Sequence, residues 1–430
     1  MFTLSYRNRE LANLLVVAVI TGLGFASVYI ARQDVVSAGS LSYALFFFAL
    51  YLTAHIVARL TVPQADPYLL PMAALLTAVG VTEIYRLDPD NAFRQGLWIV
   101  VGVAVFSVTL ILLRHDYRRI ESYKYIFGLT AVGLLVLPAL PVIGQTVNGA
   151  RLWVHIGGIQ FQPGELAKIM LIVFLAGYLR EKREVLAQGR IKDFGPLIAI
   201  WGAAMLVLVE TNDLGSGLLY FGIFLAMLYV ATARAWFAAA GLALFVGGAA
   251  LVYQAVPRVE ERVSVWIDPW AHSHTSGYQI IQSLFSIGNG GFAGKGLGKG
   301  VFATTNGHDL IPFLHTDFIY SALAQELGLV GSAALLLLYM LFCLRGFRVA
   351  LLAQDGFSKL LAVGLTFGFA LQTFIIVGGV LRLIPLTGIT LPFVSYGGSS
   401  VVANFILLAG LLLVSHRANS AAQLPMESER

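Results

Sequence analysis

The interval from Val256 to Phe318 begins VPRVEERVSVWIDPW and ends FLHTDF, and it is the only long polar stretch in an otherwise apolar chain. It opens on charged residues and contains a glycine-rich segment with two lysines. It reaches Asp317 where the next apolar run begins. Placing an aspartate at the edge of a membrane helix costs free energy unless the carboxylate is solvated, is paired with a cation or has a function. The pattern predicts a large extracellular loop over residues 256–316 and makes Asp317 the first functional candidate.

The composition is that of a membrane protein. Of 430 residues, 58% are hydrophobic and only 12% are charged, and the mean hydropathy is +0.80. Soluble domains carry roughly 25% charged residues. The net charge of +5 comes from basic residues in short loops between apolar runs, which indicates membrane topology and no nucleic-acid partner.

Twelve apolar segments meet or approach the roughly 20 residues that a spanning helix needs. They cover residues 11–31, 41–61, 68–86, 95–113, 123–142, 165–180, 195–210, 214–232, 236–255, 317–344, 358–380 and 393–415. The predicted fold class is therefore an all-α polytopic membrane protein with about twelve transmembrane helices.

The distribution of basic residues predicts the orientation. Lysines and arginines concentrate in alternate loops, for example around Arg118 and between Arg180 and Lys192, and such loops face the cytoplasm. Both termini are then cytoplasmic, in a multi-pass protein of the cytoplasmic membrane. The unusual polar residues, including the loop 256–316, fall on the outer side.

Three further expectations concern the ends of the chain and its cysteine. The first apolar run, Leu11 to Ala31, lacks a small-residue cleavage site and should remain as a helix. The last stretch, Asn419 to Arg430, is predicted to be disordered. The single cysteine, Cys343, excludes a disulfide within one chain.

Asp317 has two interpretations. A carboxylate beside an apolar wall has a raised pKa and can accept a proton near neutral pH. Alternatively, Asp317 offsets the dipole at a helix N-terminus, with Thr316 as the cap. His315 and Glu326 lie nearby in the sequence and favour the first interpretation.

Glu165 and Lys168 form the second candidate. They lie three residues apart at the start of a predicted helix, so their side chains can pair on one face. An opposite partner at this spacing lowers the cost of a charge in a membrane helix. The pair is either purely structural, or Glu165 is also shared with an arginine from elsewhere in the chain.

The remaining candidates are polar or cationic side chains on the outer side. Arg151 and Trp153 suit a pyrophosphate or the lipid headgroup level. Lys295 and Lys299 lie in a glycine-rich segment, 288–300, which lacks the features of a nucleotide-binding loop but has amides and cations for an anion. Ser395 opens the last helix, where the small residues favour packing.

Two outer-side features have no assigned role. Arg382 is an external cation before the last helix. The acidic turn from Glu210 to Asp213 is predicted to be solvated.

The order of the motifs resembles the SEDS family (shape, elongation, division and sporulation), the RodA, FtsW and SpoVE proteins. The matching segments are NGARLW from Asn148, QPGELAK from Gln162, DLGSG from Asp213, WIDPW from Trp266, GKGLG from Gly294, HTDFI from His315, ELGLVG from Glu326 and FVSYGGSS from Phe393. The resemblance covers roughly residues 70 to 415 and predicts three parts. These are two extra N-terminal helices (1–67), a ten-helix core (68–416) and a cytoplasmic tail (417–430).

The resemblance implies a peptidoglycan glycosyltransferase that polymerises lipid II at the outer face of the membrane, with undecaprenyl pyrophosphate as leaving group and inversion at the anomeric carbon. It implies Asp317 as the general base, supported by Glu165 and Lys168. Substrate contacts are expected from Arg151, Trp153, Arg258, Arg262, Lys295, Lys299, His315 and Ser395. The expected partner is a class B penicillin-binding protein, a transpeptidase, among membrane lipids.

Several alternatives stay open at this point. A lipid II flippase would use the same cavity without chemistry, and a scaffold would only activate its transpeptidase. The short C-terminal tail favours an elongation protein of the RodA kind over a division protein of the FtsW kind. A divalent cation, Mg²⁺ or Mn²⁺, is conceivable on the pyrophosphate, although no residue cluster demands one.

Overall fold

The structure, a computed structural model, describes residues 6–33, 38–141, 143–147, 150–187, 195–303 and 309–428. Within these ranges the chain forms sixteen α-helices. They are α1 (Tyr6–Gln33), α2 (Ala38–Thr61), α3 (Leu69–Leu87), α4 (Pro89–Leu113), α5 (Arg119–Ser122), α6 (Lys124–Val136), α7 (Pro163–Glu181), α8 (Arg183–Ala187), α9 (Gly195–Glu210), α10 (Leu214–Thr232), α11 (Ala235–Ala255), α12 (Pro257–Ile267), α13 (Tyr278–Gly290), α14 (Ile319–Leu352), α15 (Gly356–Val380) and α16 (Gly398–Ser428).

Each of the twelve predicted apolar segments coincides with one long helix. In the described ranges, nine helices are long and apolar enough to cross a membrane. Two more, Lys124–Ala139 and Gly195–Glu210, are apolar but shorter, and α7 carries charged residues, including Glu165 and Lys168. The polytopic membrane class is confirmed.

The loop before α7 contains a feature that the all-α prediction missed. Strands β1 (Gly144–Val147), β2 (Ala150–Ile156) and β3 (Ile159–Phe161) form an antiparallel sheet in the order β1-β2-β3. Gly157 and Gly158 join β2 to β3 with φ of +58° and +84°, the left-handed backbone of a two-residue hairpin. Two glycines between short alternating runs were the available signal, and the search for spanning segments passed over it.

Two other segments differ from the prediction. The long loop contains two helices, α12 and α13, and is not an open coil. Its α12 begins at Pro257, which suits the first turn of a helix because it has no amide hydrogen to satisfy. The tail was predicted to be disordered from Asn419, which is wrong as far as Ser428, because α16 continues to that residue. The Asn419 amide donates to the Gln64 carbonyl at 2.8 Å and holds the extension against the bundle.

Helices α3, α15 and α16 form the centre of the bundle. In their most apolar windows 72%, 78% and 78% of the residues are buried, whereas none are buried in α11, which therefore lies at the edge. Helix α16 packs on α4 and α7, and α14 packs on α15. The two loops that lead into α14 and α16 are therefore attached to well-packed helices.

The two N-terminal helices are joined to this bundle by buried polar contacts. Glu10 on α1 accepts from Arg7 at 2.6 Å and contacts His55 Nδ1 on α2 at 2.7 Å, and all three side chains are buried. Arg7 also donates to the Ala65 carbonyl, ahead of α3. A buried charge must be paired to be tolerated in a bundle, so this network fixes how the helix pair sits. The division of the chain at residue 67 stays a prediction.

Helix α14 is interrupted at Gly328, where φ is +67° and ψ is −168°. The glycine-rich segment lies against this break. The amide of Leu329 donates to Gly291 O at 2.9 Å, and those of Lys295 and Gly296 donate to the carbonyls of Gln325 and Glu326 at 3.0 and 2.9 Å. A Cβ on Gly328 would overlap the backbone nitrogen of Gly294, so only glycine fits both the conformation and the space.

We expect Gly328→Ala to destabilise the fold by about 2 kcal/mol or more, because it adds left-handed strain and a backbone overlap. Thermal unfolding in detergent measures the change. Gly247→Ala in α11 is the matched control, since a Cβ there meets nothing within 4 Å. Equal melting temperatures for the two variants would contradict the packing described here.

Candidate active site

A cavity of about 560 Å³ opens beside Asp317. Its walls come from α12, from the start of α13 and the segment before it, from the loop before α14 and from the segment before α16. The lining residues that carry charge are Arg258, Glu261, Arg262 and Asp317, and those with neutral polar side chains are Thr275, Ser276, Tyr278 and Gln279. Three of the residues predicted from the sequence, Asp317, Arg258 and Arg262, therefore meet in one cavity.

The loop that carries Asp317 is held by the segment before α16. Ser395 Oγ donates to the Thr316 carbonyl at 2.6 Å, and the Tyr396 amide donates to the His315 carbonyl at 2.9 Å. On α4, Gln95 donates to the Ser395 carbonyl at 3.2 Å and accepts from the Gly397 amide at 3.1 Å. These hydrogen bonds fix the backbone that carries the Asp317 side chain.

The structure does not show Asp317 as a helix cap. Helix α14 begins at Ile319, and Phe318 at its N-cap position accepts no side-chain cap bond. Asp317 is half-buried at the cavity wall. Burial raises the pKa of Asp317 to about 6, against the opposing charge of Arg262 and a hydrogen bond with Thr316. The carboxylate can thus take up a proton in the physiological range.

Arg262 lies between two carboxylates. Its Nη1 donates to the Thr387 carbonyl at 3.4 Å, and its charge acts on both Asp317 and Asp213. Burial, and then the neighbouring Arg258, lower the pKa of Arg262. Two arginines side by side in a half-buried cavity create a strong field for an anion.

Asp213 is buried, although the sequence predicted a solvated turn. Its exposed fraction is 6%, and its carboxylate accepts from the Ser216 amide at 3.0 Å as the N-cap of α10. Burial raises the pKa of Asp213, with the Glu165 charge acting in the same direction and Arg262 opposing it. The DLGSG motif therefore places a second carboxylate near Arg262, which the hydropathy pattern of a short turn could not reveal.

Glu165 and Lys168 form the predicted ion pair, and a glutamine joins them. Lys168 Nζ donates to Glu165 Oε2 at 2.7 Å and to Gln372 Oε1 at 2.6 Å. Gln372 Nε2 donates to the Thr390 carbonyl at 2.9 Å, and the Thr390 hydroxyl donates to Ser400 Oγ at 2.8 Å. Every polar group in this buried set has a partner, as an apolar interior requires.

The segment 386–390 is shared by the two charged clusters. Its Thr387 carbonyl binds Arg262, and its Thr390 carbonyl binds the Gln372 amide of the Glu165 network. Between them, Gly388 has φ of +74°, and a Cβ on it would lie 3.5 Å from Asp317 Oδ2. A few residues of backbone therefore connect the Glu165 network to the wall of the Asp317 cavity.

Six of the eight predicted substrate contacts, His315 among them, lie outside the lining of this cavity. Arg151 and Trp153 are on β2, where the Arg151 side chain is exposed and its amide donates to the Thr211 carbonyl at 3.1 Å. Lys295 and Lys299 are exposed on the glycine-rich segment. Ser395 is buried and uses its hydroxyl to hold the Thr316 carbonyl. Asn148 and Gly149, which open the NGARLW motif, are outside the described residues.

His315 lies next to the cavity on the same loop as Asp317. Its ring packs edge-on to Tyr396 with centroids 5.6 Å apart. Burial lowers the pKa of His315, and the charge of Asp88 opposes that shift. The imidazole is therefore neutral at physiological pH and supports the loop as a packed ring.

A second charged cluster that sequence reasoning missed holds the glycine-rich segment. Glu326 accepts from Arg86 Nε at 2.7 Å and from the amides of Gly298 and Gly300 at 2.7 and 3.0 Å. Glu83, one turn before Arg86 on α3, faces the same carboxylate and is fully buried. A Glu-x-x-Arg pair inside a predicted span was the available signal.

The fold and the cavity define a polytopic membrane protein with a titratable carboxylate and two arginines at the end of the helix bundle. Residues 58–420 match the model of the FtsW/RodA/SpoVE family of cell cycle proteins. The chain belongs to this family.

The relatives agree with this assignment. Peptidoglycan glycosyltransferase RodA of Mycobacterium tuberculosis is 42% identical over 433 residues, which cover 96% of this chain and 91% of the relative. Stage V sporulation protein E of Bacillus subtilis is 36% identical over 340 residues, 79% of this chain and 91% of the relative.

Solved structures show the same fold. The rod shape determining protein RodA of Thermus thermophilus superposes with a TM-score of 0.59 at 27% identity, covering 82% of this chain and 97% of that one. A chain from a study titled "Structural coordination of polymerization and crosslinking by a peptidoglycan synthase complex" has a TM-score of 0.68 at 29% identity, covering 83% and 98%.

We expect Lys168→Met to destabilise the protein by about 3 kcal/mol, because it leaves the Glu165 carboxylate buried without its cation. The double variant Glu165→Gln/Lys168→Met should regain much of that loss, since no buried charge remains. A double-mutant cycle of thermal unfolding in detergent measures the coupling. Strictly additive losses would show that the pair contributes no specific interaction.

Proposed function

We propose that this chain is a peptidoglycan glycosyltransferase that polymerises lipid II at the outer face of the cytoplasmic membrane. One observation carries the proposal: a half-buried carboxylate whose pKa is about 6 shares a 560 Å³ cavity with two arginines. A general base works best when its pKa is near the working pH, and a diphosphate leaving group needs cations. The relative from Mycobacterium tuberculosis is named as a peptidoglycan glycosyltransferase.

The reaction is a single displacement. The 4-hydroxyl of the acceptor sugar attacks the anomeric carbon of the donor, the carbon–oxygen bond to undecaprenyl pyrophosphate breaks, and the configuration inverts. Asp317 Oδ accepts the hydroxyl proton as the new glycosidic bond forms. The pyrophosphate departs as an anion and needs no acid when its charge is stabilised.

Arg262 and Arg258 are the cations that we assign to the departing pyrophosphate. Arginine donates two parallel hydrogen bonds to phosphate oxygens, and its charge persists when partly buried. Arg262 has a second effect, because its proximity keeps part of the Asp317 population ionised. Glu165 and Lys168 act as positioning residues through Gln372 and the segment 386–390.

A resident metal ion does not fit these residues. Within the described parts of the chain, no three histidine, cysteine, aspartate or glutamate side chains come together as a metal-ligand group. Mg²⁺ or Mn²⁺ on the pyrophosphate stays a prediction, and the steps above assign it no role.

The proposal also covers the side of the membrane on which the reaction takes place, the partner protein and the cellular role. The basic loops support cytoplasmic termini, and with that orientation the cavity faces outward. A class B penicillin-binding protein is the proposed partner, since a structural relative comes from a study of a peptidoglycan synthase complex. A role in elongation agrees with 42% identity to RodA proteins against 36% to the sporulation protein.

We expect Asp317→Asn to abolish glycan-strand formation from purified lipid II, because the amide keeps the shape but cannot accept the proton. The assay compares the chain alone, the chain with its cognate transpeptidase, and the variant with that transpeptidase. The variant must fold and bind the partner as the wild type does. Polymer from Asp317→Asn at the wild-type rate would remove Asp317 from the mechanism.

The same samples separate the rival functions. Lipid II translocation in vesicles, with no polymer in any detergent sample, would favour a flippase. Polymer made by the transpeptidase preparation without this chain would favour a scaffold. Polymer that depends on this chain and on Asp317 supports the glycosyltransferase.

The polymerisation rate should rise with pH through a midpoint near 6, because Asp317 must be ionised to act as a base. Arg262 lowers the pKa of Asp317, so Arg262→Gln should move the midpoint to higher pH as well as reduce the rate. Initial rates from pH 5 to 8 with saturating lipid II give both values. A midpoint that Arg262→Gln leaves unchanged would assign the titration to another group.

A further inference from the structure

Lys295 and Lys299 were predicted to hold pyrophosphate, but they do not line the Asp317 cavity, and the segment that carries them contacts α1. A Cβ on Gly298 would lie 2.6 Å from Ala31 Cβ and 3.4 Å from Val28 Cα, so the glycine-rich segment touches the last turns of α1. Both lysines are exposed there. The basic segment therefore sits over the end of α1.

Beneath that end lies an aromatic cavity of about 410 Å³ between α1, α2, α3 and α4. Among its lining residues are Phe25, Tyr43, Phe47, Tyr85, Phe93 and Leu97. The Phe25 and Tyr85 rings lie 5.6 Å apart, and the Tyr43 and Tyr85 rings lie 5.3 Å apart. Phe93 and Leu97 are 65% and 53% exposed, so the cavity opens to the outside along α4, a helix long and apolar enough to span the membrane.

The cavity ends close to the catalytic loop. Tyr85 is next to Arg86, which binds Glu326 beneath the glycine-rich segment. Asp88, at the end of α3, acts electrostatically on His315, two residues from Asp317. A lipid chain in the aromatic cavity would thus have its head group between the two lysines and the loop of the candidate base.

We propose that this cavity and the glycine-rich segment form a binding subsite for a polyprenyl pyrophosphate lipid, with the isoprenoid chain among α1–α4 and the pyrophosphate at Lys295 and Lys299. The proposal rests on the glycosyltransferase function. A polymerase of lipid-linked sugars has two lipid-bearing substrates, and the Asp317 cavity provides cations for one pyrophosphate. The second lipid takes the subsite that the N-terminal helices complete.

The chemistry of the site favours this lipid over a bulk phospholipid. Aromatic rings provide a large, rigid apolar surface that suits a stiff, methyl-branched isoprenoid chain. Backbone amides of a glycine-rich segment and two lysines suit a diphosphate, which carries more charge than a phosphodiester. The subsite therefore recognises both the isoprenoid chain and the pyrophosphate of the lipid.

Gly96 on α4 lines the cavity, and a Cβ on it meets nothing within 4 Å. Gly96→Phe should fill the cavity without disturbing the fold. Gly133→Phe in α6 is the matched control, because Gly133 also has open space around its Cβ but is far from this lining. Thermal unfolding verifies that both variants fold.

The test uses the full chain in phosphatidylcholine nanodiscs with a polyprenyl pyrophosphate that carries a photoreactive group on its chain. Adducts are mapped to α1–α4 by mass spectrometry. We expect Gly96→Phe to reduce labelling of these helices by about tenfold or more, and Gly133→Phe to leave it unchanged. Lys295→Gln/Lys299→Gln should weaken competition by undecaprenyl pyrophosphate but not by undecaprenol.

Labelling of α1–α4 that Gly96→Phe leaves unchanged would overturn the proposal. Competition by phosphatidylglycerol as strong as that by undecaprenyl pyrophosphate would also overturn it, and would identify an ordinary membrane-lipid site. Labelling needs no turnover, so it separates the two hypotheses. Specific labelling without polymer formation would refute the glycosyltransferase and keep the subsite, and the reverse result would refute only the subsite.

Discussion

The structure depends on the cost of placing a carboxylate inside an apolar helix bundle. Glu10, Glu165 and Glu326 are all buried, and each lies within 2.7 Å of a cation. The Glu10 and Glu165 pairs each lie within one helix, so a third group links them to the rest of the fold. Glu10 on α1 contacts His55 on α2, and Lys168 on α7 donates to Gln372 on α15. Glu326 on α14 binds Arg86 on α3 and the amides of the glycine-rich segment. Among the described residues Asp317 has no ion pair this close, and burial raises its pKa.

The helices could be predicted from the sequence and the polar connections could not. Runs of apolar residues determine where spans lie, since length and hydropathy are local properties. The β-hairpin before α7 and the extension of α16 depend on a glycine pair and on the contact of Asn419 with Gln64, which a search for spans does not weigh. Asp213 was taken for a solvated residue because a short turn gives no information about what covers it.

The candidate site was predicted only in part, because the sequence does not show which distant residues come together. Asp317 stood out because charges at membrane edges are rare, while Arg258 and Arg262 were expected only as substrate contacts, and all three meet in one cavity. Lys295 and Lys299 were grouped with them on chemistry alone, but the contact of Gly298 with α1 places them elsewhere. Ser395 was expected at the substrate and instead holds the Thr316 carbonyl. Residue type indicates the kind of ligand, while the tertiary contacts decide which group of residues binds it.

The break at Gly328 divides α14 into two helical segments. Its first part, Ile319 to Leu327, follows directly on Asp317 and has its last carbonyls bonded by the amides of Lys295 and Gly296. The glycine-rich segment thus supplies the bonds that a following helical turn would make, and the short helix connects the segment at one end to the aspartate at the other. A ligand that displaced the segment would therefore act on the position of the carboxylate through this helix.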